Sequence, residues 1–462
     1  MSPRSAGVEA GTMVVVPSIS FPVAELEKIV AVQSYEERML FVILFLLSPK
    51  LRVVYVTSEQ IDPAIVSYYL SFLPDPEQAR RRLTLVHLDD PAVGSLSEKL
   101  LRRPDVLGRL RAAAGRGYAY VLPFNVTAAE QKLAEALRLP LYGPSPELAW
   151  LGSKSGSKKV AERAGVPLLP GWADLFSIDD VAAAIARTKE ARPDVEAVVV
   201  KLNNGFSGQG NAIVELEGLG PGDPVEASKT TFCAAEESWP SFAAKIAAEG
   251  AVVEVLARDP GTASPSVQLR IAPDRTFEII STHDQILGGP ENQVYLGCRF
   301  PASPEYRREI QDHAVKVAEV LAAEGVIGSF GIDFLVIPGM GVFLSEINLR
   351  MGGTTHPFWM ARLATGGVYD PVDGELRVGD QTKHYVATDN LKSPSLVGRS
   401  PAEVIEQVGK ADLWFDPETA TGTCLHLLGA LPAGKMGVTC IADSPEGADE
   451  LYRRTVALLD PP

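Results

Sequence analysis

The stretch that most constrains this chain is FGIDFLVIPGMGVFLSEINLR, residues 330–350. Two apolar, β-branched runs flank Pro338-Gly339-Met340-Gly341, which reads as a hairpin turn. With Gly339-Met340 as a two-residue loop, the register places Asp333 directly opposite Glu346. Side chains alternate faces along a strand. Glu346, Asn348 and Arg350 therefore share one face, while Phe343, Ile347 and Leu349 turn toward a core. Opposed carboxylates on paired strands, with Cβ atoms about 5 Å apart, repel each other. A divalent cation removes that penalty, Asn348 adds a neutral oxygen, and an all-oxygen set suits Mg²⁺. Arg350, one step along, can hold a phosphate or a carboxylate. The bland alternative is an edge hairpin with a wet polar face; four chemically matched residues at these spacings favour the metal.

Three other segments carry chemistry. In AVVVKLNNGFSGQGN a β-branched strand runs into Lys201 and then a loop with Gly205, Gly208 and Gly210. Glycines let a backbone present N–H groups to an anion, and Lys201 adds a point charge. A generic glycine-rich hairpin fits equally well, and no Walker pattern closes the loop. In GSKSGSKKVAERAGVP, Ser153 reads as the N-cap of a helix ending at Ala164, with Gly165 just beyond. Lys154 and Lys158 share a face there. A lysine in a first turn opposes the macrodipole, so Lys154 either meets an anion or sits in a merely solvated basic turn. In AVVEVLARDP an apolar strand reaches Glu254 and becomes a loop, which suits an adenine edge or simply a buried strand end.

The chain of 462 residues holds about three domains' worth of sequence. Residues 1–143 alternate strands (Val14–Val16, Arg52–Thr57, Leu83–Leu88, Tyr118–Leu122) with helix-period stretches such as Glu25–Leu47 and Thr127–Leu137. That is an α/β pattern with a mostly parallel sheet, and no dinucleotide fingerprint follows its strands. Residues 144–380 hold the chemistry, interrupted by loop-like inserts at Leu216–Lys229 and Ala257–Ser266. Residues 381–462 hold strands at Gly422–Leu428 and Met436–Ala442, then a helix capped by Ser444. A net charge of −15 argues against grasping nucleic acid. The longest apolar run, Met39–Leu47, is too short for a membrane span and reads as a buried helix. Four cysteines without metal spacing suit a reducing, cytoplasmic setting, and the N-terminus does not read as a signal peptide.

The order Lys154, Lys201 with its glycine loop, Glu254, Asp333, then Glu346-Ile347-Asn348-Leu349-Arg350 resembles the ATP-grasp superfamily over about 145–365. The resemblance implies an N-terminal α/β domain, an α+β ATP-grasp domain with a mobile lid over about 191–255, and a small C-terminal α/β domain. It implies that Lys154 and Lys201 contact ATP phosphates, with Lys201 also near adenine. Gly205, Ser207, Gly208 and Gly210 would close over the β/γ-phosphates, and Glu254 to Leu256 would form the adenine hinge. Asp333, Glu346 and Asn348 would bind two Mg²⁺, and Arg350 would hold the transferred phosphoryl group and the acyl intermediate. Ser153 stands where many members have Asp.

No carboxylate follows Arg350 before His356, unlike the biotin-carboxylase branch. Gly352-Gly353 instead resembles ligases that join a carboxylate to an amine, with both glycine N–H groups as oxyanion donors. The whole chain is similar to the pheganomycin-type peptide ligases of peptide natural-product biosynthesis, which join a nonproteinogenic amino acid to the amino end of a peptide. The expected substrates are a small carboxylic acid and a peptide or amino-acid amine. Arg270, His283, Asp284 and Gln285 are candidates for lining their pocket, and a homodimer is among the expected assemblies. The rivals are an ATP-grasp ligase acting on small amino acids or a carrier-protein carboxylate, and a non-catalytic ATP-binding module.

Overall fold

The computed structural model describes residues 10–205, 210–218, 229–234 and 236–461. Four parallel strands, β1 (Gly11–Val16), β2 (Leu51–Thr57), β3 (Leu83–His87) and β4 (Ala119–Pro123), form a sheet in the order β3-β2-β1-β4. Their β-branched runs are buried on both faces, as a parallel sheet covered by helices requires. Val14, Val16, Val54 and Val56 pack on one side, and Met13, Val15, Val53 and Tyr55 on the other.

The stretch expected as one helix over Glu25–Leu47 is broken. A short turn, Val23–Leu26, is followed by a 3₁₀ helix over Val32–Leu47, with Ala31 at φ 56° between them. No glycine or proline marks this break. The 3₁₀ helix is fixed at both ends of the molecule's chain. Glu36 accepts from the Ser58 N–H (2.6 Å) and hydroxyl (2.7 Å), and Glu37 accepts from the Gly429 N–H (2.9 Å). Burial pushes both carboxyls up to about 7. The next residue, Arg38, is thereby held in place.

A second, antiparallel sheet comprises β5 (Gly171–Leu175), β6 (Ala197–Leu202), β7 (Asn211–Glu215), β8 (Thr230–Phe232) and β9 (Ala251–Val255), in the order β5-β9-β6-β7-β8. It begins at Gly171, earlier than the expected lid. Val198, Val200 and Leu202 pack beneath the helices Ile178–Ala191 and Trp239–Glu249. Alternation then turns Val199 and Lys201 toward the cleft. Most of the insert expected at Leu216–Lys229 lies outside the described residues.

The largest sheet holds β10 (Pro265–Ile271), β11 (Phe277–Gly288), β12 (Val294–Phe300), β13 (Gly328–Ile337), β14 (Gly341–Asn348), β15 (Val368–Asp370), β16 (Glu375–Val378), β17 (Gln381–Lys392), β18 (Gly422–His426) and β19 (Lys435–Ala442). The helices Lys154–Ala164 and Arg307–Glu324 share its core through Val160, Ala161, Ile310, Ala314 and Val317. β17 pairs with β12, Cys298 opposite Ala387, and β19 pairs with β17. The strands beyond 380 therefore continue the central sheet, so residue 380 is not a boundary of that sheet.

The β13–β14 hairpin places Asp333 opposite Glu346 by a different route from the one read in the sequence. Ile337 pairs with Gly341, so the loop is three residues, Pro338 to Met340. Phe334 pairs with Leu344, and Ser345 is then bulged before Asp333 meets Glu346. The extra loop residue and the bulge cancel. A bulge also flips facing. Val342 and Leu344 fill the core before it, Ile347 and Leu349 after it, and Phe343 is excluded.

Candidate active site

The second and the largest sheet, with the segments that follow β1 and β4, line a cavity of about 570 Å³. The helix Lys154–Ala164 sets one wall. Its N-cap Ser153 accepts from the Gly156 N–H at 3.0 Å, and its C-terminus closes on Gly165 in the left-handed region. The spare N–H groups of its first turn are taken by the segment after β6: the Lys154 N–H donates to the Asn203 carbonyl (3.1 Å) and the Ser155 N–H to the Asn203 side-chain oxygen (2.9 Å). Ser157 accepts from the Ile347 N–H at 2.9 Å and pins β14 to the same helix. One turn of helix thus fixes both the end of the lysine-bearing strand β6 and the acidic strand.

Lys154, Lys201, Gly205, Glu254, Leu256, Gln285, Asp333, Glu346, Asn348, Arg350, Gly352 and Gly353 all line the cavity. The Lys154 ammonium lies 2.8 Å from Glu346 and 3.1 Å from the Gly205 carbonyl. Asp333 accepts from Gln285 (2.8 Å) and from the Asn348 amide (3.0 Å). Burial, then the facing Glu346, push the Asp333 carboxyl up to about 7 against the pull of Arg350, Lys154 and Gln285. Two carboxylates and an amide oxygen whose mutual repulsion calls for positive charge suit Mg²⁺, which commonly takes one or two protein carboxylates plus phosphate oxygens. Among the described residues no group of three or more His, Cys, Asp or Glu could hold a metal, so these side chains alone would not fill the coordination of such an ion.

The glycine loop is the turn of the β6–β7 hairpin, where Lys201 pairs with Asn211. At its neck a Cβ on Gly205 would lie 2.9 Å from the Gly210 Cα, so the two strands approach only as glycines. Gly210 itself does not line the cavity; Ser207, Gly208 and the tip of the expected phosphate lid lie outside the described residues.

Glu254 to Leu256, the expected hinge segment, line the cavity, and the Glu254 carboxylate is already engaged. Glu254 is 3% exposed and bonds Lys158 at 2.6 Å and Lys201 at 2.7 Å. Burial pushes this carboxyl up, but the two ammoniums prevail and hold it at about 2. Each of its oxygens thus bonds one lysine. The Leu256 N–H is likewise donated to the Ala197 carbonyl at 3.1 Å. Lys158 was legible only as sharing a face with Lys154, and it completes this buried triad. We expect Lys158→Met to destabilise the protein by about 2 kcal/mol, less than a fully broken buried pair because Lys201 remains. Glu254's folded pKa is depressed, so the stability it contributes is present above its ordinary value of 4.5 and is lost as pH falls toward about 2. In the variant that loss sets in at higher pH. Thermal melts at neutral and acid pH check this, and identical melts would show the triad to be idle.

Three substrate-side expectations fail on geometry. His283 is buried against Phe300 and Phe358, with its Nε2 2.7 Å from the Tyr385 hydroxyl, and burial lowers it to about 3. Asp284 faces the other side of β11 and accepts from the Ser303 N–H (2.8 Å) and the Tyr306 hydroxyl (2.7 Å). Arg270 continues the face of Ser266 and Gln268, but beyond the cavity, where it pairs with Glu278. The oxyanion reading also narrows. The Gly352 N–H donates to the Thr355 hydroxyl at 2.9 Å. Gly353 remains, and a Cβ there would strike the Tyr295 ring at 2.7 Å.

Comparison with known proteins supplies the family. Two family models match parts of the chain: an IQCH-like ATP-grasp over residues 226–338 and the PGM1 C-terminal domain over residues 403–455. Among solved structures, N5-carboxyaminoimidazole ribonucleotide synthetase in its ADP complex is similar with a TM-score of 0.56 and 14% identity, covering 96% of each chain. Biotin carboxylase from Campylobacter jejuni is similar with a TM-score of 0.57 and 14% identity, over 96% of this chain and 90% of the other. The L-propargylglycine–L-glutamate ligase of Streptantibioticus cattleyicolor is 32% identical over 98% of this chain and 94% of its own. The chain belongs to that ligase's family, an ATP-dependent carbon–nitrogen ligase of the ATP-grasp type.

Proposed function

We propose that this ligase joins the carboxylate of an amino acid to the amine of a second amino acid or of a peptide N-terminus, through an acyl phosphate. One observation carries the reading: the Asp333–Glu346–Asn348 face, Arg350 and the paired lysines Lys154 and Lys201 converge on one cleft. The relative named for L-propargylglycine and L-glutamate supports amino acids on both sides. Lys154 and Lys201 bind nucleotide phosphates; Asp333, Glu346 and Asn348 hold two Mg²⁺. When bound, the ions neutralise phosphate charge during in-line transfer. Arg350 orients the attacking carboxylate, whose oxygen bonds to the γ-phosphorus as ADP leaves. The amine then attacks the acyl carbon, the Gly353 N–H and Arg350 face the oxyanion, phosphate departs and the amine's proton passes to solvent. No described helix is long and apolar enough to cross a membrane, and we place the reaction in the cytoplasm, with a homodimer as the assembly to test by light scattering.

The test is a screen of purified protein with ATP, Mg²⁺ and paired amino acids and short peptides. We expect ADP and phosphate as products, and a hydroxamate when hydroxylamine replaces the amine. AMP as the nucleotide product would overturn the mechanism. ADP release that no acid stimulates would point instead to a nucleotide-binding module.

A further inference from the structure

Beyond the Arg350–Gly353 loop, the cleft is walled by residues from the two ends of the chain. Tyr35 and Arg38 come from the 3₁₀ helix, Asp389 and Lys392 from β17, and Lys435 from β19. The Arg38 guanidinium lies 4.1 Å over the Tyr35 ring and pairs with Asp389. The Lys435 ammonium, on a residue only 5% exposed, sits 4.7 Å over the same ring and donates to its hydroxyl. Three cations thus face one carboxylate in a shared cavity. Burial pulls Lys435 down to about 8, and the neighbouring Arg38 and Lys392 act in the same direction against Asp389. The buried Arg38 Nε has no hydrogen-bond partner among the described residues. A cavity that keeps surplus cations and an unused guanidinium donor suits an anion.

The location says which anion. Tyr295 lies against Gly353 and also lines the cleft. Arg38 is close enough to Arg350 for each charge to act on the other. The nucleotide phosphates and the activated carboxylate already have Lys154, Lys201 and Arg350. What lacks a receptor is the second substrate, which must bring its nitrogen to the acyl carbon beside Gly353. We propose that Arg38, Lys392 and Lys435 receive a side-chain carboxylate of the amine-bearing substrate, which is therefore an acidic amino acid and not one with a neutral side chain. This rests on the ligase reading above.

Binding tests it without turnover. The probes are L-glutamate and L-aspartate, with L-glutamine and L-asparagine as counterparts that keep the α-carboxylate and lack the side-chain one, titrated calorimetrically against the full chain with Mg²⁺ and β,γ-methylene-ATP. Wild type is expected to bind an acidic probe more tightly than its amide. Arg38→Met and Lys435→Met should each weaken acid binding about 30-fold, the loss expected for one charge-assisted hydrogen bond. Nucleotide affinity, the check on folding, should move by less than about 2-fold. Lys392 is exposed, so Lys392→Met tests the charge without risk to the core and should weaken binding about 5-fold. The proposal is overturned if neither acid binds at millimolar concentration, if amides bind as well as acids, or if Lys392→Met and the ligand series are both without effect. In turnover with any active pair, the amine's KM should rise in Arg38→Met and the acid's should not; a rise confined to the acid overturns the proposal. A chain that binds the acid probes and never ligates sinks the ligase reading alone.

Discussion

Asp333→Asn should lower ATP-dependent turnover by about 10³-fold while leaving the metal-free fold at least as stable as wild type. The two effects have one cause. Burial and then Glu346 push the Asp333 carboxyl up to about 7, which means that two facing carboxylates are held together against their repulsion. Lys154, 2.8 Å from Glu346, offsets part of that repulsion. Asparagine keeps the acceptor for Gln285 and removes the charge, so the repulsion disappears and so does most of the attraction for Mg²⁺. The sign with pH is fixed. An acid whose folded pKa is raised carries no penalty below its ordinary value of 3.8 and the full penalty above about 7. The variant's stability advantage, read by thermal melts with a chelator present, should therefore grow from pH 5 to pH 8. Wild-type ADP release would sink the metal assignment, and a variant that fails to fold would make Asp333 structural.

The hairpin that carries this residue shows what a sequence can and cannot say. The sequence places Asp333 opposite Glu346 through a two-residue hairpin register, and the pairing holds only because two departures cancel. Neither was legible: nothing in Ser345 announces a bulge and nothing in Pro338-Gly339-Met340 announces a three-residue loop. Local patterns did better where a single side chain closes the argument. Ser153 and Ser444 each cap the helix their spacing implied. Grouping His283, Asp284 and Gln285 together as pocket residues overlooks that neighbours on a strand point to opposite faces, so Gln285 lines the cleft and Asp284 does not. The partners that occupy the Glu254 carboxylate and the Leu256 N–H were not legible, because Lys158, Lys201 and Ala197 lie far away in sequence. Arg38 meeting Asp389 across some 350 residues is a product of tertiary folding alone. So is the joining of the C-terminal strands to the central sheet.

Arg350→Ala is expected to depress kcat by about 10²–10³-fold, with a smaller rise in KM for ATP. Arg350 sits at the end of the β14 face that carries Glu346 and Asn348, and its guanidinium donates to the Met351 carbonyl at 3.1 Å. Burial pulls its pKa down, yet Glu346 and Asp333 favour the charged form, so the cation is kept where a transferring phosphoryl group would gather negative charge. Interactions that strengthen as charge develops act on kcat more than on ground-state binding. Arg350→Lys should recover little, because an ammonium is a point charge that cannot span two oxygens of a phosphoryl or carboxyl group. Hydroxylamine separates the two half-reactions. If Arg350 serves phosphoryl transfer, hydroxamate formation falls in step with amide formation in both variants. If it serves only the later oxyanion, ADP release in the absence of amine is preserved and amide formation alone is lost. Unchanged rates in both assays would remove Arg350 from the chemistry and leave Lys154 and Lys201 as the cations to test.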